Sequence, residues 1–141
     1  VLSGHRGAIE RAVPICRAQG ANRGIVLPVS APFHCPLMQP AADAMAEALA
    51  EAPMQTPLVP LYANVLAAPI ADPAAVRARL VEQVTGMVRW RESVVAMADA
   101  GVDQFVEFGA KVLGPMNKRT VEADTISIVT MADIETFAKT L

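Results

Sequence analysis

Apolar residues along the chain fall into two patterns, short continuous runs and positions spaced three or four apart. The continuous runs cover residues 24–29, 58–65, 104–108 and 125–129, are rich in Ile, Val, Leu and Phe, and predict strands. Pro60 lies inside the second run, which makes it an edge strand or an irregular one. Val1, Leu2 and Ser3 read as the remnant of another strand, followed by a turn at Gly4-His5-Arg6-Gly7. Helical spacing begins at residues 8–19, where Ile9, Val13 and Cys16 recur, Gly20 supplies a stop and Pro14 marks a late start or a kink. A second helix is predicted over residues 37–51, with Leu37, Ala41, Met45, Ala48 and Leu49 inward and Asp43, Glu47 and Glu51 forming a solvated stripe. Asp72 then caps a helix that opens at Pro73 and runs to about Thr85. Residues 90–100 form the next helix, with Val94, Met97 and Ala98 facing inward and Gly101 closing it. Two more helices are predicted over residues 111–123 and 132–140, the latter capped by Thr130.

Strand, helix and strand over the first thirty or so residues predict a small α/β unit. The later alternation of strands and helices predicts a mainly parallel sheet covered by helices, so the fold class is α/β. The proline-rich stretch from Pro28 to Pro36 is the boundary between the two parts.

Composition narrows the function classes. Apolar residues make up 53% of the 141, enough for a core and too many for a disordered chain. A net charge of −2 argues against a nucleic-acid partner, which a basic stripe would announce. Cys16 and Cys35 have no disulfide-framework or metal-ligand spacing and suit a reducing compartment. No apolar run approaches the roughly 20 residues that span a bilayer, and no basic-then-apolar leader opens the chain, so a cytoplasmic protein with no membrane partner is expected. The chain opens without Met and within a strand pattern, which points to a piece of a longer protein.

Candidate chemistry centres on His34, one of two histidines, where a predicted strand ends and a helix begins. Ligands collect at such junctions in α/β proteins. Pro28, Pro32 and Pro36 stiffen the loop by fixing φ every four residues, which would hold one imidazole in a set direction. The ordinary alternative is a histidine that fills a corner. A histidine base needs a nucleophile. None of Ser3, Ser30, Ser93 and Ser127 lies in a G-x-S-x-G elbow, and Cys35 adjoins His34 in a loop where neighbouring side chains point apart. No metal-binding or P-loop motif is present, so no metal and no cofactor are expected. The turn Gly109-Ala110-Lys111 before a helix offers an anion site or merely a helix cap.

The run Leu27-Pro28-Val29-Ser30-Ala31-Pro32-Phe33-His34-Cys35-Pro36-Leu37-Met38 with Pro40-Ala41-Ala42 resembles the active-site histidine segment of malonyl-CoA:acyl-carrier-protein transacylases of type II fatty-acid synthesis. Val1-Leu2-Ser3-Gly4-His5, Asn64-Val65, Leu80-Val81-Glu82-Gln83, Val88-Arg89-Trp90, Glu107-Phe108-Gly109, Lys111-Val112-Leu113 and Lys118-Arg119 follow in the family's order. The resemblance implies the C-terminal half of an α/β-hydrolase-like large subdomain, residues 32–141, plus the last βαβ part of a ferredoxin-like small subdomain, residues 1–31. It implies that His34 is the base and that the backbone carbonyl of Gln83 orients it in place of a carboxylate. Phe33 and Asn64 are implied substrate-binding residues. Phe33 either crowds an α-methyl group, favouring malonyl units, or only packs the loop. Lys118 and Arg119 are implied docking residues for the acidic acyl carrier protein, against the plainer reading of solvated charge at a helix end.

The implied reaction moves malonyl from coenzyme A to a serine, then to the phosphopantetheine thiol of the carrier. The family's serine elbow, its oxyanion-hole glutamine and its malonyl-binding arginine have no counterpart among these residues. The N-terminal half of the same enzyme is therefore an implied partner, and the 141 residues alone are expected to be inactive. The Glu107 segment is also one residue shorter than the common glycine-rich version. Competing readings are a non-catalytic folded module and an acyltransferase domain of a polyketide synthase.

Overall fold

A computed structural model describes residues 1–109 and 111–140. The chain divides into two compact units, Val1–Val65 with Pro69–Val88, and Leu66–Ala68 with Arg89–Leu141.

The first unit opens with helix α1, Arg6–Ala18, which runs through Pro14 and buries no residue. The predicted strand over residues 24–29 does not form among the described residues. Ile25, Val26, Leu27 and Val29 are 63%, 60%, 53% and 57% exposed, and no second strand lies beside them to take their backbone groups. A strand needs a partner as well as β-branched residues, so the strand–helix–strand unit expected over the first thirty residues is absent. Val1, Leu2 and Ser3 are likewise not in a strand. Gly24 still has a packing role, because a Cβ there would sit 2.8 Å from Val13 Cγ1 of α1.

A 3₁₀ turn, Pro36–Met38, leads directly into α2, Gln39–Glu51. α2 packs on α3, Pro73–Thr85, but through a different stripe from the one predicted. Ala42 is 3% exposed and Leu49 is half-buried, while Ala41, Met45 and Ala48 face outward. A small residue at the contact lets two helices approach closely. α3 begins as predicted, with the Asp72 carboxylate accepting from Ala75 N–H at 2.7 Å. The predicted strand over residues 58–65 shrinks to β1, Leu61–Tyr62, paired antiparallel with β2, Pro69–Ile70, which the sequence pattern did not announce. Pro69 is tolerated there because the ladder has two strands and therefore only edges.

The second unit is more regular. Helix α4, Trp90–Asp99, buries Val94 completely. β3, Gln104–Phe108, and β4, Asp124–Ile128, pair in parallel from Gln104↔Asp124 to Phe108↔Ile128. α5, Leu113–Asn117, crosses between them and packs on both strands. It is far shorter than the helix predicted over residues 111–123. The amides of Thr120 and Val121 both turn back onto the Asn117 carbonyl, and Gly114 and Pro115 are poor helix formers. α6, Met131–Ala138, starts at a capping box: Thr130 Oγ1 accepts from Asp133 N–H, and the Asp133 carboxylate accepts from Thr130 N–H. No helix among the described residues is long and apolar enough to cross a membrane.

Candidate active site

His34 sits between Phe33, 49% exposed, and Cys35, 8% exposed. Two tight backbone bonds bend the approach, Val29 N–H to Leu27 C=O and Phe33 N–H to Ala31 C=O, both 2.9 Å. The Cys35 thiol turns inward and donates to the Pro32 carbonyl at 3.1 Å. That removes Cys35 as a dyad partner for His34. His34 itself has φ of 59°, in the left-handed region that a residue with a Cβ enters at a cost of about 1–3 kcal/mol. Such strain persists only where the surroundings impose it.

The imposing contact comes from the end of α3. His34 Nδ1 lies 2.8 Å from the Gln83 backbone oxygen. A carbonyl can only accept, so Nδ1 carries the proton and Nε2 is the bare, basic nitrogen. Gln83 is in the last turn of α3, where carbonyls run out of intrahelical N–H partners. The helix stops at Gly86, whose N–H bonds back to the Glu82 carbonyl at 2.9 Å. Gly86 is required by space: a Cβ there would lie 2.7 Å from Val65 Cγ1 and 2.9 Å from the Glu82 carbonyl oxygen. The Gln83 side chain is also held, because Asn64 Nδ2 donates to its Oε1 at 3.0 Å. Asn64, Gln83, Tyr62, Val76 and Leu80 line a cavity of about 210 Å³.

The second unit carries a different polar cluster. The Glu107 carboxylate accepts from Val112 N–H at 2.8 Å, Leu113 N–H at 2.9 Å, Gly114 N–H at 3.0 Å and Ser127 Oγ–H at 3.2 Å. These bonds, led by the one from Leu113, hold its pKa below the ordinary glutamate range. Gly114 makes the approach possible, since a Cβ there would sit 2.9 Å from Thr125 Cγ2 and 3.4 Å from Glu107 Oε2. The N–H groups of residues 112–114 that could have met an external anion are thus taken by the protein's own carboxylate. Of the predicted turn at residues 109–111, Ala110 lies outside the described residues. Trp90 Nε1 donates to Asn117 Oδ1 at 2.9 Å, so the buried Asn117 has a partner. No cluster of His, Cys, Asp and Glu that would hold a metal occurs among the described residues.

No family model matches the chain. Among curated proteins, malonyl CoA-acyl carrier protein transacylase of Salmonella typhimurium is 44% identical over 128 residues, covering 90% of this chain and 41% of the relative. Among solved structures, the acyl-carrier-protein-S-malonyltransferase of Bartonella henselae superposes with a TM-score of 0.90 at 42% identity, covering 97% of this chain and 44% of that one. Over nearly its whole length the chain is similar to the C-terminal part of malonyl-CoA:acyl-carrier-protein transacylases. It spans less than half of the length of the relatives it matches. A structure of a type II PKS acyl-carrier protein in complex with its malonyl-transacylase also matches, with a TM-score of 0.91 at 36% identity over 98% of this chain and 45% of that one.

Of the residues singled out from the transacylase resemblance, His34, Gln83 and Asn64 form one bonded chain, and Phe33 stands exposed beside His34. Lys118 and Arg119 belong to the other unit, are exposed, and form no ion pair among the described residues. None of the four serines bonds to His34: Ser93 is buried and donates to the Arg89 carbonyl, Ser127 donates to Glu107, Ser3 lies ahead of α1, and Ser30, in the same loop as His34, makes no bond to it. Sequence reasoning missed the Asn64–Gln83 bond and the Glu107 clamp. Each had one signal, a lone polar residue inside an otherwise apolar run.

Proposed function

We propose that His34 is the general base of malonyl transfer from malonyl-CoA to the phosphopantetheine thiol of an acyl carrier protein. The observation that carries the reading is the 2.8 Å bond from His34 Nδ1–H to the Gln83 carbonyl, which leaves Nε2 free on an exposed loop. In the first half-reaction Nε2 takes the proton of a serine hydroxyl as its oxygen attacks the thioester carbon. The tetrahedral adduct collapses, and coenzyme A departs as its thiol with that proton. In the second half, Nε2 takes the proton of the carrier thiol, the sulfur attacks the malonyl ester, and the serine oxygen leaves reprotonated. The serine is supplied by the portion of the family's length that these residues do not span. No metal or redox cofactor enters this scheme.

The carbonyl behind His34 carries the negative end of the α3 dipole and fixes the tautomer as a triad carboxylate would. Phe33, beside the base, narrows the space next to the acyl α-carbon. Lys118 and Arg119 present unpaired positive charge suited to an acidic carrier. The likeness to a malonyl-transacylase solved with its carrier supports an acyl carrier protein as the acceptor. Residues 1–31 are assigned to the family's small subdomain and residues 32–141 to the C-terminal part of its large one. The exposed run Ile25, Val26, Leu27 and Val29 suits burial against the rest of such a protein.

The test is His34→Ala in the full-length protein, following transfer of labelled malonyl from coenzyme A to carrier. Turnover should fall by about 10²–10⁴, the usual worth of a general base. Near-normal turnover ends the assignment.

A further inference from the structure

We infer that Asn64 is a positioning residue, which acts on His34 through Gln83 rather than by touching substrate. The inference rests on the reading of His34 as the base. Gln83 offers two acceptors: its backbone oxygen accepts from His34 Nδ1, and its side-chain Oε1 accepts from Asn64 Nδ2. The backbone oxygen is in the last turn of α3, where helices fray. A carbonyl that wanders cannot hold an imidazole whose own backbone is in a strained conformation. Something must fix that turn, and two contacts are available. Gly86 seats the helix end against Val65. Asn64, two residues beyond β1, ties down the one side chain that shares a Cα with the orienting carbonyl.

The direction of the Asn64 amide fits this role. One of its two N–H donors is spent on Gln83, and the two residues are half-buried together. Fixing a glutamine rotamer costs side-chain entropy, and the Asn64 bond offsets it.

The chain has only two histidines, so His5 serves as an internal reference in a ring-nitrogen NMR experiment. In ¹⁵N-labelled protein at mildly alkaline pH, His34 should show one neutral tautomer, with protonated Nδ1 and bare Nε2. Asn64→Leu should return His34 towards the mixed-tautomer pattern of His5. Gln83→Leu keeps the backbone carbonyl and removes only the side-chain acceptor, and should have the same effect. Asn64→Asp should restore the single tautomer, because the Gln83 amide can turn and donate to the new carboxylate. In the full-length protein, Asn64→Leu should lower kcat by up to about 100-fold, the scale of a slightly misplaced catalytic group, with KM for malonyl-CoA unchanged. A single His34 tautomer in both leucine variants overturns the inference, as does a raised KM with kcat intact. If the malonyl reading were wrong, wild-type full-length protein would fail to transfer malonyl while the tautomer results stood.

Discussion

Two helix ends in this molecule meet the same need in opposite ways. The C-terminal turn of α3 has a carbonyl without an intrahelical partner, and an imidazole from a loop 49 residues earlier in the chain donates to it. The N-terminal turn of α5 has amides without partners, and the carboxylate of Glu107 accepts from three of them. Glu107 also takes the Ser127 hydroxyl, so its oxygens are saturated and half-buried. His34 makes one bond, keeps one nitrogen bare, and stays exposed. Saturation makes Glu107 a structural clamp, and incompleteness makes His34 available for chemistry. A helix end becomes functional when the group that satisfies it keeps a second valence free.

The comparison breaks most sharply by removing each group in turn. His34→Ala should cost the full-length protein about 10²–10⁴ in transfer with little loss of stability, because the imidazole is exposed and its backbone strained. Glu107→Ala should do the reverse, stranding three α5 amides and lowering the melting temperature far more than Glu122→Ala, an exposed control on the same unit. The pH dependence follows from the same bonds. The amides of Leu113, Gly114 and Val112 hold the Glu107 pKa below its unfolded value. Its stabilisation is therefore present above the ordinary glutamate range and is lost as pH falls through the lower, folded value. Glu107→Gln should flatten the acid limb of a stability-against-pH curve. Asp133, lowered by the amides of Val129 and Thr130, and Glu92, lowered by a backbone amide, keep their shares of that slope. An unchanged acid limb in Glu107→Gln would show that the clamp is not electrostatic.

This contrast also explains what could be read from the amino-acid pattern. β3 and β4 were legible because their β-branched and aromatic runs have each other as partners. The starts of α3 and α6 were legible because Asp72-Pro73 and Thr130 are residue-type signals. The run from Gly24 to Val29 carries the same strand signal, yet it has no neighbouring strand among the described residues and stays irregular and exposed. β2 gave no signal, since Pro69 and Ile70 pair only because Leu61 and Tyr62 lie opposite. His34 was visible as a histidine in a proline-stiffened loop. Its partner was not visible from residue type, because every residue has a carbonyl and the one that matters is chosen by where α3 stops. Only the family resemblance pointed to Gln83.

Next in size come the two glycines that let these helix ends close. A Cβ at Gly86 meets Val65 and the Glu82 carbonyl, and one at Gly114 meets Thr125 with Glu107 and Ser127 just behind. Each alanine substitution should cost about 1–3 kcal/mol of stability through overpacking. Their consequences should then differ. Gly86→Ala pushes against backbone in the turn that carries the Gln83 carbonyl, so the His34 tautomer preference and malonyl transfer should weaken with stability. Gly114→Ala should destabilise without touching His34. Equal effects of both on the His34 ring signals would erase the distinction between the two ends.

The smallest effect is expected at Glu82, although it adjoins the orienting residue. Its carboxylate pairs with Arg79 one turn earlier on α3, and the two side chains are 47% and 38% exposed. Exposed pairs of this kind contribute about 0–1 kcal/mol, because water screens the charges and both chains lose freedom on pairing. If His34 were tuned by nearby charge, removing Glu82 would shift the balance around it, and transfer would change. If a bond to one fixed carbonyl is what matters, Glu82→Gln should leave stability within about 0.5 kcal/mol and the His34 tautomer unchanged. The Glu82 backbone carbonyl, which caps Gly86, survives the substitution. A Glu82→Gln variant with altered His34 tautomer or lost transfer would mean that the helix end works through its charges, and the parallel with Glu107 would then be closer than the geometry implies.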